Sequence, residues 1–299
     1  MRKQLLKKTQ FINSIRSFFS DRDVLEVTTK MLSPYTATDV YIDSIKITVN
    51  EDIAKKQNLY LHTSPEFQMK QLLLRDSGDI YQICQVFRDN EYGELNSNEF
   101  TMLEWYRLNM NYFELMDEVE ELIKKILGIE NILRISYKEA FYKFAAIDNI
   151  HLQNINTLTN IAKNKNLNIE NLDLADIQML LFVDLIEPEL KKLAAVFIYN
   201  YPKQQAAFAK INKVDNYYIA ERFELFIKGV ELANGYHELQ DVNEHKKRFL
   251  YNLAKRKDLK KHLPPLDSLF LNDLNLKLPY CSGVAMGIDR LFMFYNNEL

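Results

Sequence analysis

Glycine is scarce in this chain, and its placement constrains the backbone more than any other feature. Seven glycines occur in 299 residues, about a third of the usual ~7%. Gly78 sits in the turn DSGD, and Gly128 follows the helical run 112–127 as a C-cap. The other five, Gly93, Gly229, Gly235, Gly283 and Gly287, fall in three segments: FRDNEYGE, KGVELANGYHEL and CSGVAMGIDR. A residue without Cβ marks a backbone turn or a close approach. The clustering therefore predicts either three tight hairpins or three places where backbone comes near a ligand.

Between these points the pattern is mixed. VLEVTTKML, DVYIDSIKITV, YQICQVF, FTMLEWY and RFELFIKGVEL alternate like strands, and NYFELMDEVEELIKKIL has helical periodicity. Phe11, Ile12, Ile15, Phe18 and Phe19 fall on one face of an N-terminal helix, with no apolar core or cleavage site of a leader. From about 137 to 200 the chain lacks glycine and reads as several short helices. The stretch 242–262 reads as a helix with a basic exposed face. No linker or repeat divides the sequence. The expectation is one α+β domain over 1–299, an antiparallel sheet flanked by helices, with a mainly helical insertion at about 137–200.

Composition removes several classes of function. A hydrophobic content of 47% excludes a mainly disordered chain, and a formal charge of −3 argues against a protein that binds by coating a nucleic-acid backbone. Two cysteines in apolar company make neither a disulfide scaffold nor a zinc site. No stretch reaches the ~18 apolar residues of a membrane span, so a cytoplasmic protein with no membrane partner is expected. GxxxxGK[ST] and GxGxxG are absent, so a nucleotide bound here is held by arginines.

Two arginines fit that role. The chain prefers lysine, 27 to 11, yet Arg88 follows the apolar strand YQICQVF and Arg290 lies inside MGIDRLFMF. A guanidinium grips phosphate or carboxylate with two parallel hydrogen bonds; the alternative is a buried partner for Asp89 or Asp289. Glu231 and Glu238, seven apart, point to opposite faces of an uninterrupted strand. A turn or bulge at Asn234-Gly235 brings them to one face, where they could hold magnesium on a nucleotide or receive an ammonium. The alternative is an Asn-Gly hairpin with two exposed glutamates. Ser64-Pro65-Glu66 and the run from Glu99 through Glu104 to Tyr106 add acid near aromatic surface, which suits a cationic amino acid. His237 and His245 read as surface or hydrogen-bonding residues, since no metal-ligand spacing is present.

Together these segments resemble the catalytic core of class II aminoacyl-tRNA synthetases of the lysine type. VFRDNE…NEFTMLEWY is similar to motif 2 of that family, CSGVAMGIDRLFMF to motif 3, and VLEVTTKML stands in the place of motif 1. The core begins at once, without an anticodon-binding barrel before it. With TSPEFQMK and GVELANGYHELQD, this resembles the bacterial elongation factor P (R)-β-lysine ligase family. The resemblance implies ATP and magnesium, (R)-β-lysine as substrate, elongation factor P as protein acceptor, a homodimer, and no anticodon-dependent binding of tRNA.

Site roles follow from the same resemblance. Arg88 is expected on the α-phosphate and Arg290 on the γ-phosphate. Asp89, Asn90, Ser97, Glu231, Leu232 and Gly287 are expected to complete the nucleotide site, with Glu231 and Glu238 on the magnesium side. Ser64, Pro65, Glu66, Tyr106, Asn234, Glu238 and Ala285 are expected to contact the amino acid. Ala285 stands where lysyl-tRNA synthetases carry glycine, and its methyl reshapes the pocket toward a β-amino acid. The chain departs from the family at three points. Arg-x-Glu reads Arg88-Asp89-Asn90-Glu91, so either Asn90 or Glu91 serves the adenine. His-Asn-Pro reads Asn96-Ser97-Asn98, and Lys30 replaces the motif 1 proline. The competing readings are a minimal lysine-type ligase for tRNA or a small acceptor, and a silent paralogue that binds lysine or adenylate.

Overall fold

The computed structural model describes residues 1–52 and 55–299. In chain order, α1 (Arg2–Ser20) leads to β1 (Leu25–Glu26), β2 (Leu32–Ser33), β3 (Lys46–Asp52), β4 (Lys55–Leu61) and α2 (Glu66–Leu73). Then come β5 (Ile80–Phe87), β6 (Glu99–Leu108), α3 (Tyr112–Leu127), β7 (Leu133–Ser136), α4 (Tyr137–Ala145), α5 (Ile155–Asn164), α6 (Leu174–Leu181) and α7 (Glu187–Leu190). The chain ends with β8 (Ala195–Pro202), β9 (Ile211–Val214), β10 (Tyr217–Ile227), β11 (Val230–His237), α8 (Val242–Asp258), α9 (Ser268–Asp273), β12 (Cys281–Gly287) and α10 (Ile288–Tyr295). These elements form two compact units, Met1–Met110 with Leu239–Leu299, and Asn111–Glu238.

In the first unit the strands run β1-β5-β6-β12, antiparallel except for the β1–β5 pair. Alternation sends Tyr81, Leu103, Trp105 and Val284 to one side, where α1 covers them. Phe11, Ile15, Phe18 and Phe19 of α1 are buried as their spacing predicts, with Phe19 stacked on Tyr81 at 4.4 Å and edge-on to Trp105 at 5.3 Å. Beside this sheet, β2, β4 and β3 make a small antiparallel one. Phe67 of α2 packs between Phe249 of α8 and Phe270 of α9.

Two strand expectations in this unit shrink. VLEVTTKML pairs only through β1 and β2, because Thr29 N–H is satisfied by the Gln82 side chain rather than a neighbouring strand. DVYIDSIKITV becomes a strand only from Lys46. The Asp39 carboxylate accepts from Tyr41 N–H (2.8 Å) and Ile42 N–H (3.1 Å) and folds that end into a turn.

In the second unit the order is β11-β10-β8-β7, with β9 also on β10 and β7 parallel to β8. Helices fill 137–190 of the region expected to be helical, and β8 takes its final part. Tyr137, Phe141, Leu158, Ile177, Phe182 and Leu190 of these helices pack on Val196, Ile198, Tyr201 and Phe226 of the sheet. Helix α3 starts with a capping box of Asn111 and Glu114, and it stops at left-handed Gly128 as its sequence predicts.

RFELFIKGVEL is two strands rather than one. Lys228 (φ 48°) and Gly229 (φ 77°) form a two-residue hairpin loop closed by the pair Ile227–Val230. A Cβ on Gly229 would lie 2.4 Å from Lys191 Cγ and 3.0 Å from its Cα. Left-handed backbone disfavours a side chain there, and this close approach leaves it no room. Gly229→Ala is expected to cost about 2 kcal/mol or more, read as a lowered midpoint in denaturant unfolding.

His245 and His237 are hydrogen-bonded but buried, not at the surface. Burial first, and the charge of Lys70 second, push the His245 imidazole down to about 3. The unfolded chain protonates this histidine near pH 6.5 while the folded chain refuses the proton. Its contribution is therefore complete above pH 6.5 and declines as pH falls toward 3. Thermal unfolding of His245→Gln is expected to depend less steeply on pH across this window than that of the wild type.

Candidate functional site

The sheet face opposite α1 in the first unit carries a row of polar groups. Pairing sets Gln82, Glu104 and Ala285 side by side across β5, β6 and β12, and Ile80, Tyr106 and Gly283 in the next row. Glu104 and Tyr106 are each 3% exposed, and the Tyr106 hydroxyl donates to Glu104 Oε1 at 2.7 Å. Ala285 packs with Cys84, Val86, Phe100 and Met102, so its methyl forms part of the pocket-side surface next to Glu104. Burial, then the Glu104 charge, pushes the Cys84 thiol up to about 12. The thiol beside the site is therefore protonated and is no nucleophile.

Above this face lies the start of α2. The Ser64 hydroxyl accepts from Glu66 N–H at 3.1 Å, and Pro65 precedes the first helical residue. Glu66 accepts from Lys70 Nζ at 2.6 Å, one helical turn on. Lys70 is fully buried, with its ammonium 6.0 Å from the Tyr106 ring centre. Ser64, Glu66 and Tyr106 thus gather around one buried cation. Ser64 and Glu66 also border a concavity of about 540 Å³ lined by Thr28–Ala37 residues, Gln71 and Asp267. None of Arg88, Tyr106, Ala285 or Arg290 lines it, so this hollow is separate from the row around Glu104.

Arg88 follows β5, half-buried, its guanidinium 5.2 Å from the Phe100 ring centre and its Nε donating to Thr63 O at 3.3 Å. It makes no ion pair with Asp89 or Asp289; the latter accepts from Thr101 N–H and pairs with Lys8. Asp89 and Asn90 are exposed, and Asn90 takes a left-handed φ of 62°. This turn absorbs the extra residue of the motif and leaves Glu91 N–H on the Asn98 side chain at 3.0 Å. Ser97 is exposed on the same loop. Arg290, in the first turn of α10, donates to Asn96 Oδ1 at 2.6 Å and Leu95 O at 3.4 Å. A Cβ on Gly287 would meet only the Arg290 stem, at 3.8 Å or more. Packing within the chain does not demand glycine there, which leaves room for a ligand as the reason. Arg290 lies at this glycine edge and Arg88 at the end of β5, and each half-buried guanidinium fits a phosphate.

The second unit holds the remaining residues. Asn234-Gly235 is not a turn: both lie inside β11, opposite Glu224 and Phe223. The irregularity sits two residues before Asn234. Leu225 pairs with Ala233 and Phe226 with Glu231, so Leu232 is an extra residue on β11. That bulge reverses the parity. Glu231, Asn234 and Tyr236, and by alternation Glu238, share one face with Arg222 and Glu224. Glu231 is exposed, whereas Glu238 is 1% exposed. Sharing a face does not bring them together: they stand about six strand steps apart, roughly 20 Å at the rise of a strand, too far for one cation to touch both.

Three residues of these arrangements carried no role in the sequence reading. Glu104 appeared only as one acid near aromatics. Lys70 had a signal, its i+4 spacing from Glu66. Arg222 had none: its Nε donates to Asn234 Oδ1 at 3.2 Å, Nη1 to Gln205 O at 2.7 Å, and Nη2 to Glu224, which also accepts from Tyr201 at 2.6 Å. Among the described residues no cluster of three or more His, Cys, Asp or Glu side chains has metal-binding geometry, and no helix is long and apolar enough to cross a membrane.

The sequence as a whole is similar to known proteins. Residues 1–298 match the family model of class II tRNA synthetases (D, K and N). The elongation factor P–(R)-beta-lysine ligase of Buchnera aphidicola subsp. Schizaphis graminum is 42% identical over 303 residues, covering 99% of this chain and 92% of its own length. The ligases of that name from Proteus mirabilis and Edwardsiella ictaluri are 42% and 40% identical, each over 97% of this chain and 90% of their own. With its arginines after β5 and in α10 and a mostly antiparallel scaffold beneath them, the chain belongs to the class II tRNA synthetases of the D, K and N type.

Proposed function

We propose that this chain activates (R)-β-lysine with ATP and transfers it to the ε-amino group of a lysine on elongation factor P, acting as a cytoplasmic homodimer. The observation that carries this reading is that relatives about 40% identical over nearly the whole chain bear that one ligase name. Two features of the site support it. The Cys84 thiol on the face that carries Glu104 is pushed up by burial, so it does not compete as a nucleophile with the carboxylate of the substrate. Glu66, paired with Lys70, and Glu104, bonded to Tyr106, form a polar network that an amino group of a diamine substrate can join.

In the first step a carboxylate oxygen of β-lysine attacks the α-phosphorus. The new P–O bond displaces pyrophosphate and leaves an acyl-adenylate. Arg88 holds the α-phosphate and Arg290 the γ-phosphate, so both neutralise charge that grows as the bond to pyrophosphate breaks. Asp89, Asn90, Ser97, Leu232 and Gly287 complete the nucleotide site. When bound, magnesium would be held by Glu231 and would screen the phosphates, while Glu238, about 20 Å along the strand, would face the amino acid instead. Ser64, Pro65, Glu66, Tyr106, Asn234 and Ala285 orient the amino acid, and positioning supplies most of the rate. In the second step the acceptor amine attacks the acyl carbon, the C–N bond forms, AMP leaves, and the amine's extra proton passes to solvent.

Incubation with ATP, magnesium, (R)-β-lysine and elongation factor P is expected to raise the acceptor's intact mass by one lysyl unit, and Arg88→Ala to abolish pyrophosphate exchange. No gain with a competent acceptor, but charging of tRNA, would instead favour the minimal tRNA ligase. Ala285→Gly is expected to relax the preference for β- over α-lysine by about tenfold, the scale set by one methyl in a pocket. An unchanged ratio of kcat/KM values for the two amino acids would remove Ala285 from the specificity argument.

A further inference from the structure

Helix α8 was expected to be basic and solvated, and one of its cations is not. Arg256 is 2% exposed, and three of its nitrogens engage four acceptors. Nε donates to His262 O at 2.8 Å, Nη1 to Asp39 O at 2.6 Å and Ile42 O at 3.2 Å, and Nη2 to Asp43 Oδ1 at 2.7 Å. Lys261 reaches the other Asp43 oxygen at 3.0 Å. Burial alone would push the Asp43 carboxyl up; hydrogen bonds from Lys261 and Arg256 outweigh it and hold the group below its usual range. The fork therefore gathers a turn that has no strand partner of its own and ties it to α8.

That turn touches the arginine-bearing loop. Asp43 O accepts from Asp89 N–H at 2.7 Å, on the same edge where His62 O accepts from Phe87 N–H at 3.0 Å. On the other side Arg88 N–H donates to Asn98 O at 2.9 Å. The backbone at Arg88-Asp89 is thus held between Asn98 and Asp43, and Asp43 is held by Arg256. Lysine cannot substitute: an ammonium lacks the planar spread that reaches three carbonyls and a carboxylate together.

We propose that Arg256 is a positioning residue of the ATP site, fixing Asp43 against Asp89 and so the attitude of the Arg88 guanidinium. This rests on the ATP-dependent ligase reading above. The test is β-lysine-dependent pyrophosphate exchange on the full chain, with KM for ATP and for β-lysine measured separately. Arg256→Lys and Asp43→Asn are each expected to raise KM for ATP by about tenfold, with KM for β-lysine within about twofold and the double variant no worse than either single, as linked residues behave. Lys261→Met, which leaves the fork intact, is expected to fold and to raise KM for ATP by about threefold. Amide hydrogen exchange of peptides covering 87–91 is expected to accelerate in all three.

If Arg256→Lys and Lys261→Met lower the melting temperature while KM for ATP stays at the wild-type value, Arg256 is a structural clamp only and the proposal is overturned. Wild-type protein that neither exchanges pyrophosphate nor binds ATP by calorimetry overturns the ligase reading and the ATP-site role with it. The wild type thus reports on the reaction, and the variants on Arg256.

Discussion

Strand β6 has to satisfy two environments at once, because successive side chains leave it on opposite sides. Leu103 and Trp105 must be apolar to receive α1, whose Phe19 meets both Trp105 and Tyr81. That requirement fixes the register of β6, since a slip of one residue would drive Glu104 into the aromatic layer. With the register fixed, Glu104 and Tyr106 have one place to go, beside Ala285 and Gly283 of β12. The chemistry on that face is a consequence of packing on the other.

Buried charge on such a face is costly unless it is paired, and the pairing limits what the groups can do. Glu66 accepts from a lysine with no exposed surface, and Glu104 from a tyrosine. Neither carboxylate is a bare anion awaiting an ammonium. A substrate cation joins an existing network, which favours one geometry of approach and penalises a ligand that leaves a lone pair unmet. The second unit follows the same rule: Glu224 is shared between Arg222 and Tyr201, and Arg222 in turn orients the Asn234 amide.

Much of this was legible in the sequence, for physical reasons that differ by residue. Helix α1 is legible through periodicity, α3 through periodicity and its Gly128 cap, and β5 and β6 through alternation, because these signals are local. Arg88 and Arg290 stood out as cations in apolar surroundings. The 39–42 turn was misread as strand because a single Asp39 side chain overrode the alternation. Arg256 looked like one more solvated cation on a basic helix, and its burial depends on acceptors more than two hundred residues away. A shared face for Glu231 and Glu238 is one of two readings the sequence leaves open, and dipeptide chemistry points to Asn234-Gly235 as its cause rather than to Leu232, which carries no local mark.

The Leu232 bulge gives β11 a property that an even strand lacks: its two ends are out of phase with each other. Loss of one residue here would act less like a shortening than like a frameshift in space. Everything on one side of the lesion would keep its facing, and everything on the other would be turned inside out. Substitutions in this stretch can therefore be graded by size and charge, but length cannot be graded at all. A family built on this strand is free to explore side chains between Glu231 and Glu238, and is bound to keep their number.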